Sequence, residues 1–265
     1  MSVVGPVLDA VAFLTRVPVP SRRRFDLARA AWAFPLVGGL LGLLLGAVGV
    51  LTSEPLGWLV AAVVVVALEV VLTGALHLDG LADCADGTGG ADRRARLRIM
   101  KDHSVGVYGV AAVVLDLLLK VALVGALLDR ADPALAVVIM TVAWTLSRAA
   151  MLPLAAWLPY ARDEGTGRSL VEGLTAGRLW SGGLMVAVCV GAATWAGSQL
   201  TGTTPWLVPL VLLPTVAVTT VLVGGWARRT LGGVTGDVLG AAAEVTLLAA
   251  LLAAVTLLGP GVPQS

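Results

Sequence analysis

The sequence predicts an all-α, polytopic integral membrane protein of about seven transmembrane helices, preceded by an N-terminal amphipathic or re-entrant segment. Three observations carry that prediction. Of 265 residues, 58% are hydrophobic and only 13% charged, too little charge to coat a soluble protein of this length. Several apolar stretches exceed the roughly 20 residues that cross a bilayer as helix. The basic residues also fall on alternate loops, which is how membrane topology is written into sequence.

Taken in order, the first element is residues 3–20. Pro6 and Asp9 interrupt its apolar run and Arg16 falls where a signal core would continue, so it reads as amphipathic or re-entrant rather than as a cleavable signal. Val17-Pro18-Val19-Pro20 ends it. Spans follow at 31–52, 56–78, 104–128, 133–158, 180–199, 205–226 and 238–258, all within one domain covering 1–265. Gly38, Gly42 and Gly46 permit close helix contact in the first span. Packing within the chain is the simpler use of that stripe, and a homo-oligomer contact is the alternative.

Arg16, Arg22, Arg23, Arg24 and Arg29 share one side of the membrane with Arg93, Arg94, Arg96, Arg98, Lys101, Arg162, Arg168, Arg178, Arg228 and Arg229. The other side has Arg130 alone, and Lys120 and Arg148 fall within spans. The bias assigns the arginine-rich side, with the N-terminus, to the cytoplasm. Three loops there, near 79–103, 159–179 and 227–237, hold nearly all the polar chemistry. A transporter needs polar groups along a path through the membrane; polar groups gathered at one face point to an enzyme. Net charge is +1, which gives no bulk attraction for nucleic acid, so the lipid bilayer is the expected macroscopic partner. Cys84 and Cys189 form neither a zinc spacing nor an expected disulfide.

The most informative block is His77-Leu-Asp-Gly-Leu-Ala-Asp-Cys-Ala-Asp-Gly87. On a helix, offsets of four and seven residues put Asp79, Asp83 and Asp86 on one stripe. Three crowded carboxylates repel one another unless a cation intervenes, and oxygen-only ligands favour Mg²⁺ or Mn²⁺ over zinc. Asp102 offers a fourth carboxylate to that shell, and Lys101 a point charge for a phosphate. His103 is read as an interfacial residue. The 160–168 loop joins glycine-rich backbone to Arg162 and Arg168, a plausible phosphate cradle. Asp237 is expected at the cytoplasmic edge, and Glu244 two helical turns into the last span, where an acid needs a partner or a polar cavity. Asp116 and Lys120, four apart, are expected to pair with each other. Glu69 and Arg148 have no local partner; either they pair across helices or Arg148 reaches a substrate phosphate. Carboxylates, Mg²⁺ and scattered cations suit phosphoryl transfer, and no P-loop is present.

These blocks resemble the cobalamin synthase family, adenosylcobinamide-GDP ribazoletransferase. The likeness runs from Phe13-Leu-Thr-Arg-Val-Pro-Val-Pro20 and Phe34-Pro-Leu-Val-Gly-Gly39 through the triple-acid block and Met100-Lys-Asp102. It continues through Ser147-Arg148 and Tyr160-Ala-Arg-Asp-Glu-Gly165 to the stretch from Arg229 to Glu244. The resemblance implies an enzyme in the inner membrane of a prokaryote. It would join α-ribazole, or its 5′-phosphate, to adenosylcobinamide-GDP and release GMP, with Mg²⁺ as cofactor. By position it makes Asp79, Asp83 and Asp86 the metal site with Asp102 as a possible fourth ligand. Arg148, Arg162, Arg229, Asp237 and Glu244 become candidates for substrate contact, beside Lys101 and Arg168. His77 is either a general base or a hydrogen-bonding residue at the interface. The nearest rival, a CDP-alcohol phosphotransferase of lipid synthesis, matches only in Asp79-Gly80-x-Ala82.

Overall fold

The structure, a computed structural model, describes residues 4–20, 26–102, 104–201 and 205–259; His103 and Arg22, Arg23 and Arg24 lie outside the described residues. Helix α1 (Val4–Leu14) buries Gly5, Asp9, Ala10 and Leu14. Helix α2 (Leu27–Ala30), capped by Asp26, runs through a 3₁₀ turn into α3 (Phe34–Leu56), and together they make a span of 30 residues. Five further helices are long and apolar enough to cross a membrane: α7 (Val107–Arg130), α8 (Pro133–Ala149) continued by α9 (Met151–Trp157), α11 (Ala176–Thr201), α12 (Leu207–Leu231) and α13 (Gly236–Leu258). The remaining crossing is bent. Helix α4 (Trp58–Thr73) and α5 (Leu76–Gly87) meet at 89°, and the short α6 (Arg93–Ile99) and α10 (Arg168–Gly173) complete the chain. The polytopic helical architecture expected from composition is the one found.

The bend corrects the expected second span of 56–78. Gly74 and Ala75 both adopt left-handed backbone, φ 61° and 58°, and two such residues in succession end a right-handed helix. The crossing therefore stops at Thr73, and α5 starts afresh at a right angle. The expected loop 79–103 is consequently mostly helix, with α5 carrying the three aspartates and α6 the arginines. The expected loop 227–237 shrinks to Gly232–Thr235, because α12 continues to Leu231 and ends on Gly232 at φ 75°.

Capping explains several starts. Asp92 accepts from the Ala95 amide, Asp132 from that of Leu135 with Pro133 in the first turn, and Thr235 from that of Val238. The glycine stripe of α3 packs inside the chain: a Cβ on Gly42 would stand 2.5 Å from the Met140 carbonyl and one on Gly46 3.1 Å from Val137. Backbone contact with α8 at that distance is open only to glycine.

Three connections at the arginine-rich end are stitched together. Tyr160 and Val234 form a parallel bridge, in which the Ala161 amide donates to Val234 (2.8 Å) and that of Val234 to Pro159 (2.9 Å). Arg93 reaches over from α6, its Nε donating to the Leu231 carbonyl at 2.6 Å and its Nη2 to that of Ala161 at 3.3 Å. Those bonds bring the acidic helix, the Arg162 loop and the start of α13 to one place.

Candidate active site

Asp237 opens α13 and Gly80 opens the way to it. A Cβ on Gly80 would lie 2.6 Å from the Asp237 carbonyl oxygen, so α5 rests directly on the first turn of α13. That contact sets Asp79 and Asp83 beside Asp237. The Asp237 carboxylate forms an ion pair with Arg162, Oδ2 lying 2.7 Å from Nη2, and accepts from the Thr235 hydroxyl at 3.2 Å. Asp79 is exposed and Asp83 half-buried. Burial, and then the charges of Asp237 and Asp79, raise the Asp83 carboxyl to about 7, while Arg162 pulls it down. Acids are crowded here with too little positive charge to balance them.

Among the described residues, no three Asp, Glu, His or Cys side chains converge closely enough to hold a metal ion as they stand. The donor chemistry nonetheless fits a hard divalent cation. Asp79, Asp83 and Asp237 offer only oxygen, and the raised Asp83 carboxyl marks a place where added positive charge relieves repulsion. The other two expected ligands stand elsewhere. Asp86 accepts from the Gly106 and Gly109 amides at 2.7 and 2.8 Å. Asp102 is exposed and accepts from the Ser104 amide at 3.0 Å. Helix rise is the reason: seven residues separate Asp86 from Asp79 by about 10 Å along the axis, so one stripe meets α13 at its start and α7 at its end.

Cations line the space beside the acids. A cavity of about 670 Å³ is bounded by Arg98, Lys101, Arg162, Asp163 and Glu164. A second, about 590 Å³, lies across the same loop and includes Tyr160, Arg162, Arg168 and Glu172. Arg162 borders both. Arg168 is already engaged by Glu172 at 2.7 Å and by the Asp163 carbonyl. Arg229 is exposed on the last turn of α12 and borders neither cavity. Arg98 does not stand out in the sequence, because an arginine that anchors a membrane helix and one that lines a cavity look alike; only the position of α6 separates them.

His77, Arg148 and Glu244 lie inside the bundle, and of the two readings of Glu69 and Arg148 the structure shows the pairing across helices. His77 is 1% exposed and neither ring nitrogen has a hydrogen-bond partner; its backbone backs onto Gly240 of α13. Arg148 and Glu244, 1% and 3% exposed, belong to an ionic cluster inside the bundle. Lys120 lies 3.1 Å from Asp116 and 3.3 Å from Glu69, and also bonds Glu244. Glu69 further accepts from Trp144 Nε1 at 2.8 Å and from Arg148 at 3.3 Å. Arg148 donates to the Ser147 hydroxyl, which donates in turn to the Ala243 carbonyl. The expected Asp116–Lys120 pair is present but is one edge of a network tying α4, α7, α8 and α13. A charge in hydrocarbon needs such partners, and here Arg148 and Glu244 supply them to other side chains.

Comparison with known proteins places the chain in a family. The family described as cobalamin-5-phosphate synthase matches residues 6–255. The chain belongs to the cobalamin-5-phosphate synthase family. Its relatives include proteins named adenosylcobinamide-GDP ribazoletransferase from Azorhizobium caulinodans, 37% identical over 94% of this chain and 95% of the relative, and from Pseudomonas paraeruginosa, 39% identical over 93% and 96%. A Chlorobium chlorochromatii protein of the same name is 38% identical over 96% and 97%. No solved structure matches the chain. Within the cobalamin-5-phosphate synthase family, then, this member presents an acid cluster and a cation-lined cavity at the same end of a helical bundle.

Proposed function

We propose that the protein is an adenosylcobinamide-GDP ribazoletransferase acting in the late, nucleotide-loop assembly of cobalamin. The family match across residues 6–255 carries this reading, and the chemistry of the site supports it. A hydroxyl of α-ribazole, or of its 5′-phosphate, attacks the phosphorus next to cobinamide. The P–O bond within the diphosphate breaks, GMP leaves with the other phosphate, and the hydroxyl proton is lost. Asp79, Asp83 and Asp237 would hold Mg²⁺, which when bound neutralises charge on the diphosphate oxygens. Arg98, Lys101 and Arg162 attract the diphosphate into the cavity they line. Asp83 and Asp237 are half-buried, partly out of water, where their pull on a cation is stronger. The charge bias supports a cytoplasmic arginine-rich face, and the family resemblance supports a prokaryotic inner membrane.

The test is GMP release from adenosylcobinamide-GDP and α-ribazole by protein in lipid, with and without Mg²⁺. CDP-diacylglycerol plus an alcohol serves as the comparison. Turnover of the first pair that stops on chelation is expected; turnover of the second pair alone would replace this reading with lipid phosphotransfer.

A further inference from the structure

Asp86 lies on the acidic stripe of α5, yet its two oxygens face away from Asp79 and Asp83. Oδ2 accepts from the Gly106 amide at 2.7 Å and Oδ1 from the Gly109 amide at 2.8 Å. Gly106 is the residue that caps α7, and Gly109 is the third position of that helix. These are the two amides that a capping box satisfies with two side chains of its own segment. Gly106 has no side chain to offer, and α7 has no side-chain cap of its own. One carboxylate from another helix supplies both bonds, at the positive end of a 24-residue helix.

The glycines are part of the same construction. A Cβ on Gly106 would stand 2.5 Å from Asp86 Oδ1, and one on Gly109 would overlap Oδ2. The carboxylate thus sits in a notch that only glycine leaves open. Between the two ends of this contact, residues 88–105 leave α5 and return to α7. That excursion carries α6, Arg98 and Lys101, the wall of the larger cavity. Arg93 pins its middle to Leu231 and Ala161, and the Asp86 contact closes its ends.

We propose that Asp86 is a positioning residue, a cap for α7 that holds the Arg98 and Lys101 segment over the site, and not a metal ligand. Its role for substrate rests on the functional reading above; the contact itself does not. Removing it frees the segment, so the diphosphate is bound less well, while Asp79, Asp83 and Asp237 keep their places and Asp83 loses only the smallest of the three carboxylate repulsions acting on it.

The test uses full-length protein in lipid nanodiscs, with Asp86→Ala, Asp86→Asn, Gly109→Ala and, for contrast, Asp83→Asn. Three quantities are measured: deuterium uptake over residues 104–112, affinity for Mn²⁺ alone, and KM and kcat for adenosylcobinamide-GDP. Asp86→Ala should raise uptake over that peptide and leave Mn²⁺ affinity within about twofold, while KM rises about tenfold or more, the scale of lost bonds to a charged acceptor. Asp86→Asn, which keeps one acceptor oxygen, should be intermediate, and Gly109→Ala should reproduce the KM effect. The inference is overturned if Asp86→Asn weakens Mn²⁺ as severely as Asp83→Asn does, if uptake is unchanged in Asp86→Ala, or if kcat falls with KM constant. If the wild type fails to turn over adenosylcobinamide-GDP, the functional reading falls, and uptake and Mn²⁺ affinity still decide what Asp86 does.

Discussion

Asp83 and Lys120 show how the same kind of charge serves two ends. Asp83 stands among acids with one nearby guanidinium, Arg162, and its excess of negative charge is what attracts a cation. Lys120 stands among three carboxylates at 1% exposure, and its charge is consumed by them. The two substitutions should therefore separate. Asp83→Asn is expected to lower GMP release at least about a hundredfold, as loss of a metal's charge stabilisation would, with an unchanged melting temperature in detergent. Lys120→Met should instead destabilise by about 3–5 kcal/mol, because it leaves buried carboxylates uncompensated; a fall in thermal midpoint with normal Mn²⁺ affinity in the surviving folded fraction is the outcome to check. The acid triplet and the Asp116–Lys120 pair were legible in the sequence because both are spacings along one helix. Pairing across helices was one reading of Glu69 and Arg148, but the identity of every partner was not legible, since the partners lie on α4, α7 and α8 and meet only when the bundle closes.

At the scale of elements, the decisive piece is α5. Its direction follows from Gly74 and Ala75, and the one mark in the sequence, Gly74, is a residue that membrane spans also carry in their interiors. Proline is absent there, and alanine seldom takes positive φ, so apolar residues through Leu78 read as an unbroken span. Its seat on α13 depends on Gly80, where a Cβ would intrude to 2.6 Å from the Asp237 carbonyl. Gly80→Ala should force α5 off its support at a cost of about 1–3 kcal/mol, the range for overpacking. GMP release should fall far more than stability does, because Asp79 and Asp83 move together relative to Asp237 and Arg162. Comparing activity with thermal midpoint for Gly80→Ala and Gly57→Ala decides the point: Gly57, at φ 77°, has nothing near its Cβ position, so its substitution strains backbone without touching the site.

For the whole molecule, the charge bias and the apolar stretches were enough to lay out the crossings, since both follow from the cost of placing polar groups in hydrocarbon. Six of the seven expected spans coincide with membrane-length helices, including the two joined pieces that end at Leu56 and Trp157. The convergence of the three arginine-side connections was not legible, because it rests on backbone bonds between Pro159, Ala161 and Val234 that no side-chain pattern announces. Single cysteines at Arg94 or Arg228 should react with a membrane-impermeant maleimide only after inside-out membranes are prepared, and one at Arg130 only in intact cells. Labelling in the reverse order would invert the proposed orientation.

The bridge between Tyr160 and Val234 makes chain length itself a functional quantity. Arg162 lies two positions beyond Tyr160 and Asp237 three beyond Val234, so both partners of that ion pair are measured out from a single fixed rung. An extra glycine inserted after Ala161 would carry the guanidinium past the carboxylate, and KM for the diphosphate substrate should rise sharply. The same glycine inserted after Ala131, in the turn between α7 and α8, should be absorbed with little change in kinetics.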